Sequence, residues 1–253
     1  MNALYKKELL GFFRSPAGYV AAAVFLIVNS LILWVFPGDY NIPDSGFASM
    51  DSLFAIAPWM LLILVPAVTM KMFAEERKLG TLELLYTKPI SDFKIVLAKY
   101  AASLTLVIAA ILPTLIFVFS VSYLTDEGAF ADDVHINAGL DFGQITGSYI
   151  GLFFLAAVYS ACGLFVSSLT DNQITAYLLS AALCLFMFLG FDALSSFPIF
   201  GSMKLVVADL GISAHYQSVS RGVTDTRDVV WFVSAVAVFL LPARYVLQSR
   251  IWK

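Results

Sequence analysis

The chain offers few side chains that make or break bonds. Histidine occurs twice, at His135 and His215, and cysteine twice, at Cys162 and Cys184. Neither type stands in a His-Glu-x-x-His or Cys/His pattern, so no metal centre and no His-activated nucleophile is expected. Both cysteines fall in apolar runs and read as small buried hydrophobes. A phosphate-cradling Gly-x-x-x-x-Gly-Lys-Ser/Thr loop is also missing, and Gly201-Ser202-Met203-Lys204 does not replace it. The expectation is therefore no catalytic, cofactor-binding or metal-ligating residue. Asp192 and Asp209 stand near the ends of apolar runs, where solvation or helix capping accounts for them. Asp171, in the turn Thr170-Asp171-Asn172-Gln173, is placed to cap the following helix. Asn29, Ser30, Thr69, Ser103, Thr105 and Ser160 are mild polar groups inside apolar runs and read as helix-to-helix hydrogen-bonding positions.

The informative polar stretch runs from Lys71 to Asp92. Glu75-Glu76-Arg77-Lys78-Leu79-Gly80 ends a helix, with glycine as the stop and cations in the last turn, where the helix dipole favours them. Thr81 then begins a short helix, 80–88, carrying Leu82, Glu83, Leu84 and Leu85 and closed by Pro89. Ser91 or Asp92 can cap the next long helix. Three leucines on a segment outside lipid need a protein surface. Two readings stand: the helix docks into a groove on a soluble partner, or its leucines pack on this chain's own helix ends. Glu76 and Arg77, one turn before Gly80, are placed to orient the short helix.

The elements that hold this stretch are set by composition. Of 253 residues, 60% are apolar and 13% charged, against roughly 45–50% and 25% in soluble domains. So few charges cannot coat so much apolar surface, and the lipid bilayer is the solvent that fits. A net charge of -3 argues against nucleic-acid binding. About 20 apolar residues cross the hydrocarbon layer, and six runs qualify: 18–36, 52–73, 95–124, 145–169, 174–191 and 229–247. Pro58, Pro66, Pro113 and Pro242 inside them predict kinks. The third run, about 45 Å long as a helix, must tilt or project from the bilayer. The first is too long for the core of a cleaved signal peptide, and no small-residue cleavage pattern follows it.

Twelve of the fifteen Lys and Arg fall in the N-terminal segment, the 71–99 segment and the C-terminal end, while the 37–51 and 125–144 loops carry acids only. By the positive-inside rule both termini are cytoplasmic. Residues 2–14 are too short and charged to span. Tyr5, Leu9, Phe12 and Phe13 share one face opposite Lys7 and Arg14, which predicts an interfacial helix with its cations toward lipid phosphate; a merely topology-setting basic N-terminus is the other reading. Residues 192–228, broken by Pro198, Gly201 and Gly211, predict outer re-entrant helices, with a small water-exposed lid as the alternative.

Taken in order, Lys7-Glu8-Leu9 through Phe13-Arg14-Ser15-Pro16, then Glu75 through Leu85, then Pro89-Ile90-Ser91, and finally Tyr216 through Asp225 with Asp228-Val229-Val230, resemble the permease subunits of ABC transporters of the type-2 exporter class. Within that class they are similar to the gliding-motility-associated branch. The likeness covers nearly the whole chain, and the Glu-Glu-Arg…Gly-Thr-Leu-Glu-Leu-Leu stretch is its specific part. It implies a single all-α transmembrane permease domain over 1–253, six spans, a cytoplasmic N-terminal interface helix and re-entrant helices before the last span. It also implies a coupling helix that meets an ABC ATPase through Glu76, Arg77, Gly80, Thr81, Leu82, Glu83, Leu84 and Leu85. ATP and Mg would then bind the partner ATPase, and a second permease chain, like or unlike, would complete the pore in a bacterial plasma membrane. The large extracytoplasmic insert of some related permeases is missing here, so substrate capture by such a domain is not expected. With few charges inside the spans, a lipid-linked, hydrophobic or polymeric cargo suits the chain better than a small ion. Two other classes compete. An intramembrane enzyme would need facing ionisable groups within the spans; a structural anchor would leave the leucine-bearing helix unexplained.

Overall fold

The computed structural model describes residues 1–45, 49–82, 90–126, 140–198, 203–222 and 225–249. Among them the secondary structure is helical throughout, without strands. The elements are α1 (Asn2–Arg14), α2 (Pro16–Trp34), α3 (Ile42–Ser45), α4 (Asp51–Lys78), α5 (Asp92–Ile111), a 3₁₀ turn (Leu112–Thr114), α6 (Leu115–Asp126), α7 (Phe142–Leu169), α8 (Gln173–Leu185), a π turn (Phe186–Gly190), α9 (Phe191–Ser195), α10 (Lys204–Ala208), α11 (Ile212–Ser220) and α12 (Thr226–Ser249).

Five stretches are long and apolar enough to cross a membrane: α4, α5 with α6, α7, α8 through α9, and α12. A sixth arises if α1 and α2, bent by 67°, count as one broken span. The bend falls at Ser15-Pro16, where proline opens α2 at the position that needs no N–H donor. Pro58 and Pro66 lie within a continuous α4. Pro113 sits in the 3₁₀ turn that divides the third run into α5 and α6, where its missing N–H breaks the helical ladder. The π turn in the fifth run has no counterpart among the expected kinks.

α7 is the hub of the bundle. It packs on α4, α12, α8, α11 and α5, and little of its surface reaches the outside. Small residues permit this. A Cβ built on Gly147 would lie 2.6 Å from the Gly222 backbone, and one on Gly163 would collide with the Thr69 side chain. Close backbone approach through small residues is how helices gain packing energy where lipid supplies no hydrophobic drive. Asp141 caps α7 by accepting from Gly143 N at 2.9 Å and Gln144 N at 3.1 Å. Between α9 and α12, α11 turns Ile212, Ser213, Tyr216 and Val219 inward, and Tyr216 Oη donates to Phe54 O at 2.8 Å. By contrast α10 leaves Leu205 and Val206 exposed.

Several local expectations change. Asn172, not Asp171, caps α8, accepting from Ile174 N at 2.9 Å; Asp171 instead meets Arg77 at 3.1 Å. Ser91 stands at the start of α5 but makes no side-chain cap bond. Most polar residues in the spans serve their own helix: Asn29 donates to Phe25 O, Thr69 to Val65 O and Ser103 to Tyr100 O. Satisfying a carbonyl one turn back costs no partner helix and needs no tertiary alignment. Thr105 does bridge, to Tyr5 Oη at 3.0 Å. The cross-helix role falls to Ser167, whose Oγ reaches Phe73 N, Ala74 N and Met70 O of α4.

Candidate functional site

The end of α4 is held at one point by three neighbours. Lys99 reaches it from the second turn of α5 and is fully buried. Its Nζ contacts Glu8 Oε1 at 2.8 Å and Glu76 Oε2 at 2.8 Å, and donates to Met72 O at 2.6 Å. Two of the ammonium's three N–H donors are taken up in hydrogen bonds, to Glu8 Oε1 and Met72 O, and the Glu76 Oε2 contact is an ion pair. The Phe73 ring lies beneath it at 5.2 Å, a favourable face for a cation. Glu76 is shared, because its Oε1 accepts from Lys7 Nζ at 2.6 Å. Two ammonium groups and two carboxylates thus close a neutral set spanning α1, α4 and α5. Burying a charge this deeply is tolerable only with such pairing.

Arg77, the next residue, points toward α7. It donates from Nη2 to Ser168 O at 2.5 Å and pairs with Asp171 at 3.1 Å. Ser168 is in the last turn of α7, where carbonyls lack helical donors and a guanidinium serves them well. Gly80 follows with φ +68°, the left-handed stop that glycine adopts without penalty. No atom of the described residues lies within 4 Å of where its Cβ would be, so among them the requirement for glycine is conformational and not steric. Thr81 Oγ1 donates back to Glu76 O at 3.3 Å. Leu82 is buried against the core, so this leucine packs on the chain itself. Glu83, Leu84 and Leu85, the rest of the expected coupling surface, lie outside the described residues.

The geometry corrects one expectation and adds two residues. Lys7, read as facing lipid phosphate, is bonded to Glu76. Glu8 and Lys99 were not singled out by the sequence, although Lys99 lies inside the third apolar run. An ionisable residue within a span is a functional candidate by default, and that rule would have flagged it.

A bundle of five to six apolar helices around a central small-residue helix, with a buried ion set at one end, is a polytopic membrane protein. Residues 21–212 match the family model described as ABC-2 family transporter protein, and the chain belongs to that family. It is the permease component of an ABC transporter. No curated protein matches the chain.

Proposed function

We propose that this permease works with a separate ABC ATPase to export a substrate across a bacterial plasma membrane, as a member of the gliding-motility-associated branch. In this reading both termini and the 71–94 segment face the cytoplasm, ATP and Mg bind the partner ATPase, and a second permease chain completes the translocation path. The observation that carries it is the tethering of α4 by Glu76 and Arg77 directly ahead of Gly80. A segment suspended from that point moves α1, α5 and the α7–α8 turn together. ATPase closure then drives transport by binding one permease conformation better than the other.

The test is purification of the assembled complex and assay of Leu84→Asp. Each leucine buried in a partner groove contributes about 1.5–3 kcal/mol, so the charge should weaken ATPase binding while membrane insertion stays intact. Unchanged assembly, hydrolysis and transport in Leu84→Asp would remove the coupling role from this segment.

A further inference from the structure

At the other end of α4, where Asp51 starts the helix, a second ionisable pair, a half-buried histidine and a buried aspartate, joins α11 to α12. His215 Nδ1 lies 2.6 Å from Asp228 Oδ1, and His215 Nε2 lies 2.8 Å from the backbone carbonyl of Asp209. That carbonyl can only accept, so Nε2 must carry a proton. A neutral imidazole then presents a bare lone pair at Nδ1, and a carboxylate oxygen is also an acceptor. Two acceptors do not rest 2.6 Å apart. The contact needs one proton more than a neutral histidine and an ionised aspartate hold between them. The other carboxylate oxygen, Asp228 Oδ2, is buried with no hydrogen-bond partner among the described residues, so His215 is the group that compensates this acid. Asp228 stands in the first turn of α12, where the helix dipole favours the carboxylate. The His215 ring stacks on Trp231 at 4.5 Å and 25°, a surface that favours a cation.

We propose that His215 and Asp228 form a proton-binding site whose occupancy clamps residues 209–222 onto the start of α12. Proton loss leaves a lone pair against a buried carboxylate and releases the segment; low pH holds it closed and rising pH opens it. Among the described residues, the surroundings supply no other counter-charge. α7, beneath α11, has only Tyr149, Tyr159 and Cys162 as titratable groups between 142 and 169. The π turn has none. Asp192 of α9 is bonded by Ser213 Oγ, and Asp51 of α4 by Gln144. Asp225 accepts from Arg227 N at 3.0 Å, while Lys204, Asp209, Arg221 and Arg227 are exposed residues. The inference stands independently of the export reading.

Amide hydrogen exchange of the full chain in lipid nanodiscs tests it. Exchange of 211–222 is followed relative to 150–165 of α7, which cancels the intrinsic pH effect, from about pH 5.5 to about pH 8.5, the range where histidine ordinarily changes charge. The relative exchange should rise about tenfold with pH, the size of one lost charge-assisted hydrogen bond. In Asp228→Asn the amide can donate to a neutral imidazole, so the ratio should be flat with pH. His215→Gln, which has no comparable proton to lose, should be flat as well and serves if Asp228→Asn fails to fold. A flat ratio in the wild-type chain, or the same rise in either variant, would overturn the clamp.

Discussion

Lys99 is the residue on which the end of α4 depends. Lys99→Met removes a donor that contacts Glu8 and Met72 O at once and leaves a carboxylate in a dry place. Breaking a buried pair from one side costs about 3–5 kcal/mol, and thermal unfolding of the reconstituted chain should show a correspondingly lowered midpoint. Adding Glu8→Gln to Lys99→Met should recover part of that loss, because the acid stranded by the first change is then neutral. Strictly additive losses would mean that the two side chains do not interact. Gly80 is a different case: its φ of +68° costs an L-residue about 1–2 kcal/mol. Gly80→Val should therefore leave the bundle formed and redirect the chain after α4, read as changed protease sensitivity at 81–90.

At the scale of elements, α7 is central because its small residues admit neighbours on several sides. Gly147→Ala meets the Gly222 backbone, which cannot rotate away as a side-chain tip can. It should cost about 1–3 kcal/mol, the usual toll of overpacking, and loosen α11 from α7. The informative contrast is Gly11→Ala on α1, where the added methyl meets nothing within 4 Å. There the gain in helix propensity should stabilise by about 0.5–1 kcal/mol. Equal and opposite melting shifts are not required; a stabilised Gly147→Ala would show that the α7–α11 contact is looser than the backbones imply.

For the whole molecule, the proposed orientation rests on where twelve of fifteen cations lie. Cysteine labelling from outside sealed cells should reach positions in 39–45 and 140–144 and leave Lys78→Cys unlabelled. Labelling at Lys78→Cys by a membrane-impermeant reagent would invert the topology and place the Lys99 ion set on the outer side. The proposed orientation would put the His215–Asp228 site on the outside, in contact with external pH.

Much of the architecture was legible before any coordinates. Apolar run length sets the solvent and the spans, because crossing hydrocarbon is a local demand on consecutive residues. Gly80 as a stop and Ser15-Pro16 as a break are local backbone chemistry and read off directly. Choice of partner was not legible. Asp171 is the expected cap on paper, and only the approach of Arg77 from α4 draws it into an ion pair and leaves the cap to Asn172. Likewise, Lys99 and Glu8 meet across 91 positions, through the direct packing of α1 on α5. Run length and periodicity describe one helix at a time; which charges meet depends on how several helices are placed together, and only the tertiary structure decides that.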